Sequence, residues 1–218
     1  MNAEYKNKKE VNNVVFLESN IKKATIKTFL GSDYEIFATG GHISSLENSG
    51  YCNIGVDLDN FSPKYEIIKT KENLVKFWKD YLEKNPKINI FIATDPDREG
   101  ARIAQELVDI LDLKDNYERL FFHEITFNAI KEALENPTKL DFNLIDAQVS
   151  REVLDKMIGF CLSSLIQKKI NAWSAGRVQS VVLKLIVDRE REIMNHVPKV
   201  EFLVIASFKI GRKKHKLV

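Results

Sequence analysis

The run Ile88-Asn89-Ile90-Phe91-Ile92-Ala93 is apolar enough for a strand covered on both faces, and it passes directly into Thr94-Asp95-Pro96-Asp97-Arg98-Glu99-Gly100. A buried strand followed at once by a helix limits the fold, because such units stack into parallel sheets with helices on their faces. Two more stretches follow the same plan. Val14 to Leu17 is β-rich and leads into a helix from Lys22 to Leu30, with Asn20 as its expected cap and Gly31 as its stop. Tyr34 to Thr39 reads as a strand broken by Gly40-Gly41, and Leu120 to Phe122 as a short fourth strand. Between them, Glu72 to Lys84 and Glu99 to Leu111 carry helical apolar stripes. Ser44 to Ser62 is polar and turn-rich and is expected to be loop. In folds of this type ligands bind beyond the carboxyl ends of the strands. Glu18, the Gly40-Gly41-His42 turn and the Asp95 cluster each follow a strand, so one sheet edge could carry all three.

From Thr126 the strand signal stops. Thr126 can cap a helix to Glu135, and Asn143 to Phe160 and Ala175 to His196 read as long helices. After Pro198, Phe202 to Ile210 alternates like a strand. The expected division is a tail over 1–13, an α/β domain over 14–140, a helical segment over 141–198 and the start of a β domain over 199–218. The tail is rich in Asn, Lys and Glu and reads as solvated chain rather than a DNA-binding arm. A lone strand at the close suggests a further β domain cut off after it.

Net charge is +2, so the total gives no argument for nucleic-acid binding and a basic surface must be local. Cys52 and Cys161 lie far apart without metal-ligand spacing, which points to a reducing compartment and to no zinc site. No apolar run approaches the ~20 residues that span a bilayer, and the N-terminus has no apolar signal core.

Asp95, Asp97 and Glu99 cannot all stay ionised side by side without a counter-charge. A hard cation resolves this, and Mg2+ suits a few carboxylates completed by water and phosphate. The bland alternative is an acidic turn capping a helix. Glu18 ends its strand in the same way and is either a further acidic partner or an exposed strand-end carboxylate. Lys22, one helical turn on, can reach a phosphate or a leaving oxygen, although alone it would be surface. His42 could touch phosphate; on its surroundings it reads better as packed under the glycine turn. Arg151 and Asp155 fall one turn apart on a helix face with Ala147, Leu154 and Ile158, as a buried pair or one facing a cleft. Ser174 to Ser180 reads equally as a phosphate-holding helix start or an ordinary capped helix. There Ser174 is the expected cap, Val178, Val181, Val182, Leu185 and Ile186 form a buried face, and Arg177, Gln179 and Ser180 are left facing outward.

Thr94-Asp95-Pro96-Asp97-Arg98-Glu99-Gly100 resembles the acidic motif of the Toprim domain in type IA DNA topoisomerases. Val15-Phe16-Leu17-Glu18-Ser19 with Lys22 and Leu30-Gly31, Gly41-His42-Ile43, Arg119 with His123-Glu124-Ile125-Thr126, Ala147-Gln148 with Arg151, Asp155 and Gly159, and Ser174 to Ser180 are similar to further motifs of that family in order. The bacterial topoisomerase I branch fits better than the topoisomerase III or reverse gyrase branches. The resemblance implies a Rossmann-like Toprim sheet with flanking helices, an α/β fold, then an all-α segment and the first strand of a truncated β domain. It implies cutting, passage and resealing of single DNA strands through a 5′-phosphotyrosine, on single-stranded and negatively supercoiled DNA, in a cytoplasmic, nucleoid-associated protein. By the same resemblance Glu18 and Lys22 are catalytic, and Glu18, Asp95, Asp97 and Glu99 hold Mg2+. His42, Arg98, Arg119, Arg151, Asp155, Ser174, Arg177, Gln179 and Ser180 meet DNA.

The departures from that pattern are Asn20 in place of proline, Ser44-Ser45 in place of Arg-Asp, and Glu152 in place of a second arginine. The family's nucleophile lies in a Tyr-x-Arg-Thr-Asp setting, and none of Tyr5, Tyr34, Tyr51, Tyr65, Tyr81 and Tyr117 has it. An N-terminal part of such an enzyme, inactive alone, is therefore expected. The rivals are a stand-alone Toprim nuclease or primase-like Mg2+ enzyme and a non-catalytic DNA-binding module.

Overall fold

The computed structural model describes residues 11–217; residues 1–10, which hold most of the expected tail, lie outside them. Asn13 already belongs to the first strand. Four strands, β1 (Asn13–Leu17), β2 (Tyr34–Ala38), β5 (Asn89–Ala93) and β6 (Glu118–Arg119), form a wholly parallel sheet in the order β2-β1-β5-β6. The fourth strand thus falls just before the expected Leu120–Phe122, because Leu120 is held through its N–H on Ile92 as the chain leaves the sheet.

Successive residues of β1 point to opposite faces. Val14 and Phe16 enter a core with Val75, Trp78, Ala104 and Leu107, under α2 (Glu72–Lys84), α3 (Arg98–Ile110) and α5 (Phe142–Met157). Val15 and Leu17 enter a second core with Ile26, Ile130 and Ala133, under α1 (Asn20–Leu30) and α4 (Phe127–Glu135). Burial on both faces is why β1 and β5 read as unbroken apolar runs rather than alternating ones. The helix starts are capped by side chains: Ser19 accepts from Ile21 N–H in place of the expected Asn20, Asp97 from Gly100, Thr126 from Ala129, and Asp141 from Asn143 and Leu144.

The polar stretch from Ser44 is not all loop. β3 (Ser44–Leu46) pairs antiparallel with β4 (Tyr65–Ile67). Its alternation is short and its apolar content low, but Leu46 gains a small core of its own with Ile54, Val56 and Val153 of α5. The helix through Phe160 changes to a π-helical turn over Ile158–Leu162 before α6 (Ser163–Ile170), which closes on Asn171 in the left-handed region at φ 53°.

The chain divides into two compact units, 1–175 and 176–218. The second consists of α7 (Arg177–Met194) and the antiparallel hairpin of β7 (Ala206–Ile210) and β8 (Lys213–Leu217). The closing strand is therefore paired, with Gly211 at φ 61° in its turn, and is not the lone strand expected. The apolar face of α7 is expected to be buried, yet Val178, Val181, Val182, Leu185 and Ile186 are exposed. Periodicity marks a face able to be buried; it does not supply what covers it.

Candidate functional site

The registers place Leu17 of β1 level with Ala38 of β2 and Ala93 of β5. The residues after each strand therefore emerge together at one carboxyl edge: Glu18, Thr39-Gly40 and Thr94-Asp95. Thr39 N–H donates to Leu17 O at 2.8 Å and Gly40 N–H to Glu18 O at 2.7 Å, which fastens the first two of these ends. Lys71 donates to the Thr39 and Gly40 carbonyls at 2.6 and 3.1 Å. Gly40 and Gly41, at φ 64° and 91°, then take the left-handed turn that brings His42 back over the edge.

The acidic corner is held from beneath. Thr94 Oγ1 donates to Gly100 O at 2.5 Å, and Asp97 Oδ1 accepts from Gly100 N–H at 2.7 Å. Gly100 lies so close to Asp95 that a Cβ there would meet Asp95 O at 2.1 Å and Asp95 N at 2.8 Å. Arg119, expected to meet DNA, is instead 3% exposed and spends its guanidinium inside, on Thr94 Oγ1 at 2.5 Å and Asp95 O at 3.2 Å. Burial pulls it down to about 10, with Asp97 opposing. It is a brace for the corner, and the signal that it would be internal is the apolar Leu120 beside it.

Lys22 Nζ reaches Asp95 Oδ1 at 2.5 Å. Glu18 has a buried Oε2 without a hydrogen-bond partner, and burial together with Asp95, Asp97 and Glu99 pushes its carboxyl above the usual range. Four carboxylates at one edge, one with an orphaned buried oxygen, form a hard-oxygen donor set short of positive charge. These residues fit a small divalent cation such as Mg2+. Among the described residues they share the edge without three of them converging as a ready-made ion site. Arg98 is exposed on the first turn of α3 beside them.

His42 carries a feature that sequence reading missed. Its Nδ1 lies 2.9 Å from Glu106 Oε1, and its Nε2 lies 3.9 Å from Glu99 Oε1. Glu106 is buried on α3, and its Oε2 accepts the Ile43 and Ser44 N–H groups at 2.7 and 3.2 Å. Burial alone would raise its carboxyl, but the hydrogen bonds from His42 and Ile43 and the charges of His42 and Arg102 leave it below the usual range. The Glu106 hydrogen bond in turn holds the His42 imidazole above its ordinary range against burial. Arg102, one turn before Glu106, is 4% exposed and lies 4.2 Å over the Tyr65 ring. Arg102 and Glu106 look like an ordinary surface pair in sequence. The small residues Gly100, Ala101 and Ala104 were the available sign that this helix is packed on nearly every side.

Beyond His42 runs a groove of ≈ 570 Å³ lined by Ser45, Glu99, Gln148, Arg151, Asp155 and Phe160 among others. Arg151 Nε and Asp155 Oδ2 are 3.5 Å apart and half-exposed, so the pair faces this cleft and is not a buried ion pair. Glu152, which stands in the groove wall, accepts from Tyr65 Oη at 3.0 Å.

The Ser174 to Ser180 stretch lies at the boundary between the two units. The N-cap residue of α7 is Gly176 and not the expected Ser174. Gly176 N–H donates to Ser180 Oγ at 3.2 Å, so that hydroxyl is turned back on its own helix start rather than outward. A Cβ on Gly176 would meet Gln179 Cγ at 3.1 Å, which places the Gln179 side chain over the same turn. Arg177 opens the helix.

Residues 13–125 match the family model described as Toprim domain, and residues 139–217 match the one described as DNA topoisomerase. Among solved structures, full-length topoisomerase I from Thermotoga maritima is 41% identical, with a TM-score of 0.74, over 86% of this chain and 32% of that one. The chain thus spans about a third of the length of that relative.

Proposed function

The chain belongs to the type IA DNA topoisomerase family, and on that premise we propose that it contributes the carboxylate and strand-holding parts of a site that cuts and reseals single DNA strands. The observation that carries this reading is the shared sheet edge, where Glu18, Lys22, Asp95, Asp97 and Glu99 stand next to the groove of Arg151 and Asp155.

Asp95, Asp97, Glu99 and Glu18 would hold Mg2+, which supplies charge neutralisation between carboxylates and a phosphate. Glu18, with its raised carboxyl and unpartnered oxygen, can carry a proton at the 3′-oxygen that leaves or returns. Lys22 is one helical turn away and stabilises negative charge at that oxygen. His42, held by Glu106, and Arg98 offer donors to backbone phosphate at the groove mouth. Arg151 takes phosphate along the groove, and Asp155 fixes the arginine's direction. Arg177 and Gln179 are proposed to meet DNA in their own right. The substrates would be single-stranded and negatively supercoiled DNA, in the cytoplasm with the nucleoid; among the described residues no helix is long and apolar enough to cross a membrane.

These 218 residues hold no tyrosine in a Tyr-x-Arg-Thr-Asp setting, so by themselves they should bind Mg2+ and single-stranded DNA but relax nothing. The test is calorimetric Mg2+ titration of the wild-type chain and of Asp95→Asn/Asp97→Asn, with a plasmid relaxation assay alongside. Loss of Mg2+ binding in the double variant and unchanged plasmid are expected. Equal Mg2+ affinity, or relaxation by the chain alone, overturns the reading.

A further inference from the structure

Cys52 and Cys161 are distant in sequence but not in space. Cys52 lies in the 3-10 turn Tyr51–Asn53 that follows the β3 strand, in the left-handed region at φ 53°. Cys161 lies in the π-helical turn after α5. Both are half-buried free cysteines, and both pack on the same small core of Leu46, Ile54, Val56 and Val153. The turns that carry them, Tyr51–Asn53 and Ile158–Leu162, pack against each other, and burial together with the neighbouring Cys52 pushes the Cys161 thiol up. Two neighbouring thiols, partly open to solvent and carried on different elements, have no role in the acidic corner.

We propose that Cys52 and Cys161 are a site of reversible oxidation, in which a peroxide converts the pair to an intrachain disulfide. The chemistry balances with hydrogen peroxide as the named oxidant. One thiolate attacks a peroxide oxygen; the S–O bond forms, the O–O bond breaks, and one water leaves. The other thiolate then attacks the sulfenic sulfur; the S–S bond forms, the S–O bond breaks, and the hydroxyl leaves as a second water. The two sulfurs are oxidised, the peroxide is reduced to two waters, and a dithiol reductant reverses the change.

The consequence follows from what the two turns carry. Cys161 is beside Phe160, which lines the groove, and Cys52 belongs to the segment that follows Leu46 on the facing wall. Lys156 already spans these walls, donating to Leu46 O at 3.4 Å and Asn48 Oδ1 at 3.0 Å. A disulfide would add a covalent tie beside that polar one and limit the width of the cleft.

The test is peroxide treatment of the intact chain, followed by intact-mass measurement, peptide mapping without reductant, and thermal unfolding. The expected product has lost two hydrogens, yields the peptides of Cys52 and Cys161 joined, melts about 5 °C or more higher through the constraint on a long loop, and reverts with dithiothreitol. Cys52→Ser and Cys161→Ser should each abolish the joined peptide and the shift. Separate oxygen additions at the two cysteines, or disulfide-linked dimers without the internal link, would overturn it. The mapping on wild-type protein decides the matter even if a serine variant folds poorly, and it is independent of whether the chain binds DNA or Mg2+.

Discussion

Lys22 Nζ lies 2.5 Å from Asp95 Oδ1, so a helix that follows β1 supplies the counter-charge for a carboxylate that follows β5. The ammonium holds a place at Asp95 that a metal cation would compete for. The side chains are 31% and 36% exposed, so solvent screens the pair and its net contribution is at most about 1 kcal/mol. Lys22→Met should therefore cost little stability without metal, while increasing the gain in Tm on adding MgCl2, because Asp95 loses its competing cation and repulsion with Glu18 grows. Scanning calorimetry of both proteins over a Mg2+ series checks this; identical Mg2+ responses would show that Lys22 and the metal do not share Asp95.

Gly100 is required by closeness, not by a left-handed backbone. Its missing Cβ makes room for the Asp95 backbone, with contacts of 2.1 and 2.8 Å to atoms that have no rotamer freedom. Gly100→Ala must push the Asp95 corner away from α3, and the loss should be about 1–3 kcal/mol despite the better helix propensity of alanine. Urea unfolding measures it. A neutral or stabilising result would mean that the corner yields freely and is not a fixed platform.

Most of this edge was legible in the sequence because each part carries a local signal. Unbroken apolar runs announce strands buried on both faces, and Thr126 announces a helix start. The acidic residues fall where a strand must end. What was not legible depends on contacts between distant segments. The β3–β4 pair looked like loop since Ser44-Ser45-Leu46 has a single apolar residue, and its burial comes from Val153. Arg119 was placed at DNA by the resemblance alone, and nothing local in the sequence shows the Thr94 and Asp95 acceptors waiting for it. Cys52 and Cys161 looked unrelated because no spacing rule covers a meeting between a loop and a helical bulge. On α7 the apolar face was legible and its cover was not.

Glu106 makes the site's architecture pH-dependent. Its folded carboxyl titrates below the usual 4.5, so the carboxylate adds stability above that value, and this is lost as pH falls through the folded value. His42 works in the opposite sense: raised above 6.5, it adds stability below that value and loses it as pH rises through its folded value. Glu106→Gln keeps the shape but removes the charge shared by His42, Ile43 and Ser44. It should cost about 1–3 kcal/mol near pH 6 and flatten the acid side of the stability profile. Unfolding free energies at a series of pH values for both proteins test it, and an unchanged acid slope would show that other carboxylates govern acid unfolding.

Arg151 offers the clearest measure of strand binding by the groove. Its guanidinium is half-exposed, and Asp155, 3.5 Å away, orients it without burying it. A single phosphate contact to a single strand contributes about 0.7 to the slope of log affinity against log salt. Arg151→Ala should weaken binding of an oligothymidylate about 5–20-fold at low salt and reduce that slope by about 0.7, with little change in Tm because the pair is too exposed to add much stability. Asp155→Asn should leave the salt slope nearly intact while weakening affinity less, since it disturbs the direction of the arginine and not its charge. Fluorescence anisotropy over a salt series separates the two. If Arg151→Ala leaves both affinity and slope unchanged, the strand does not run through this groove.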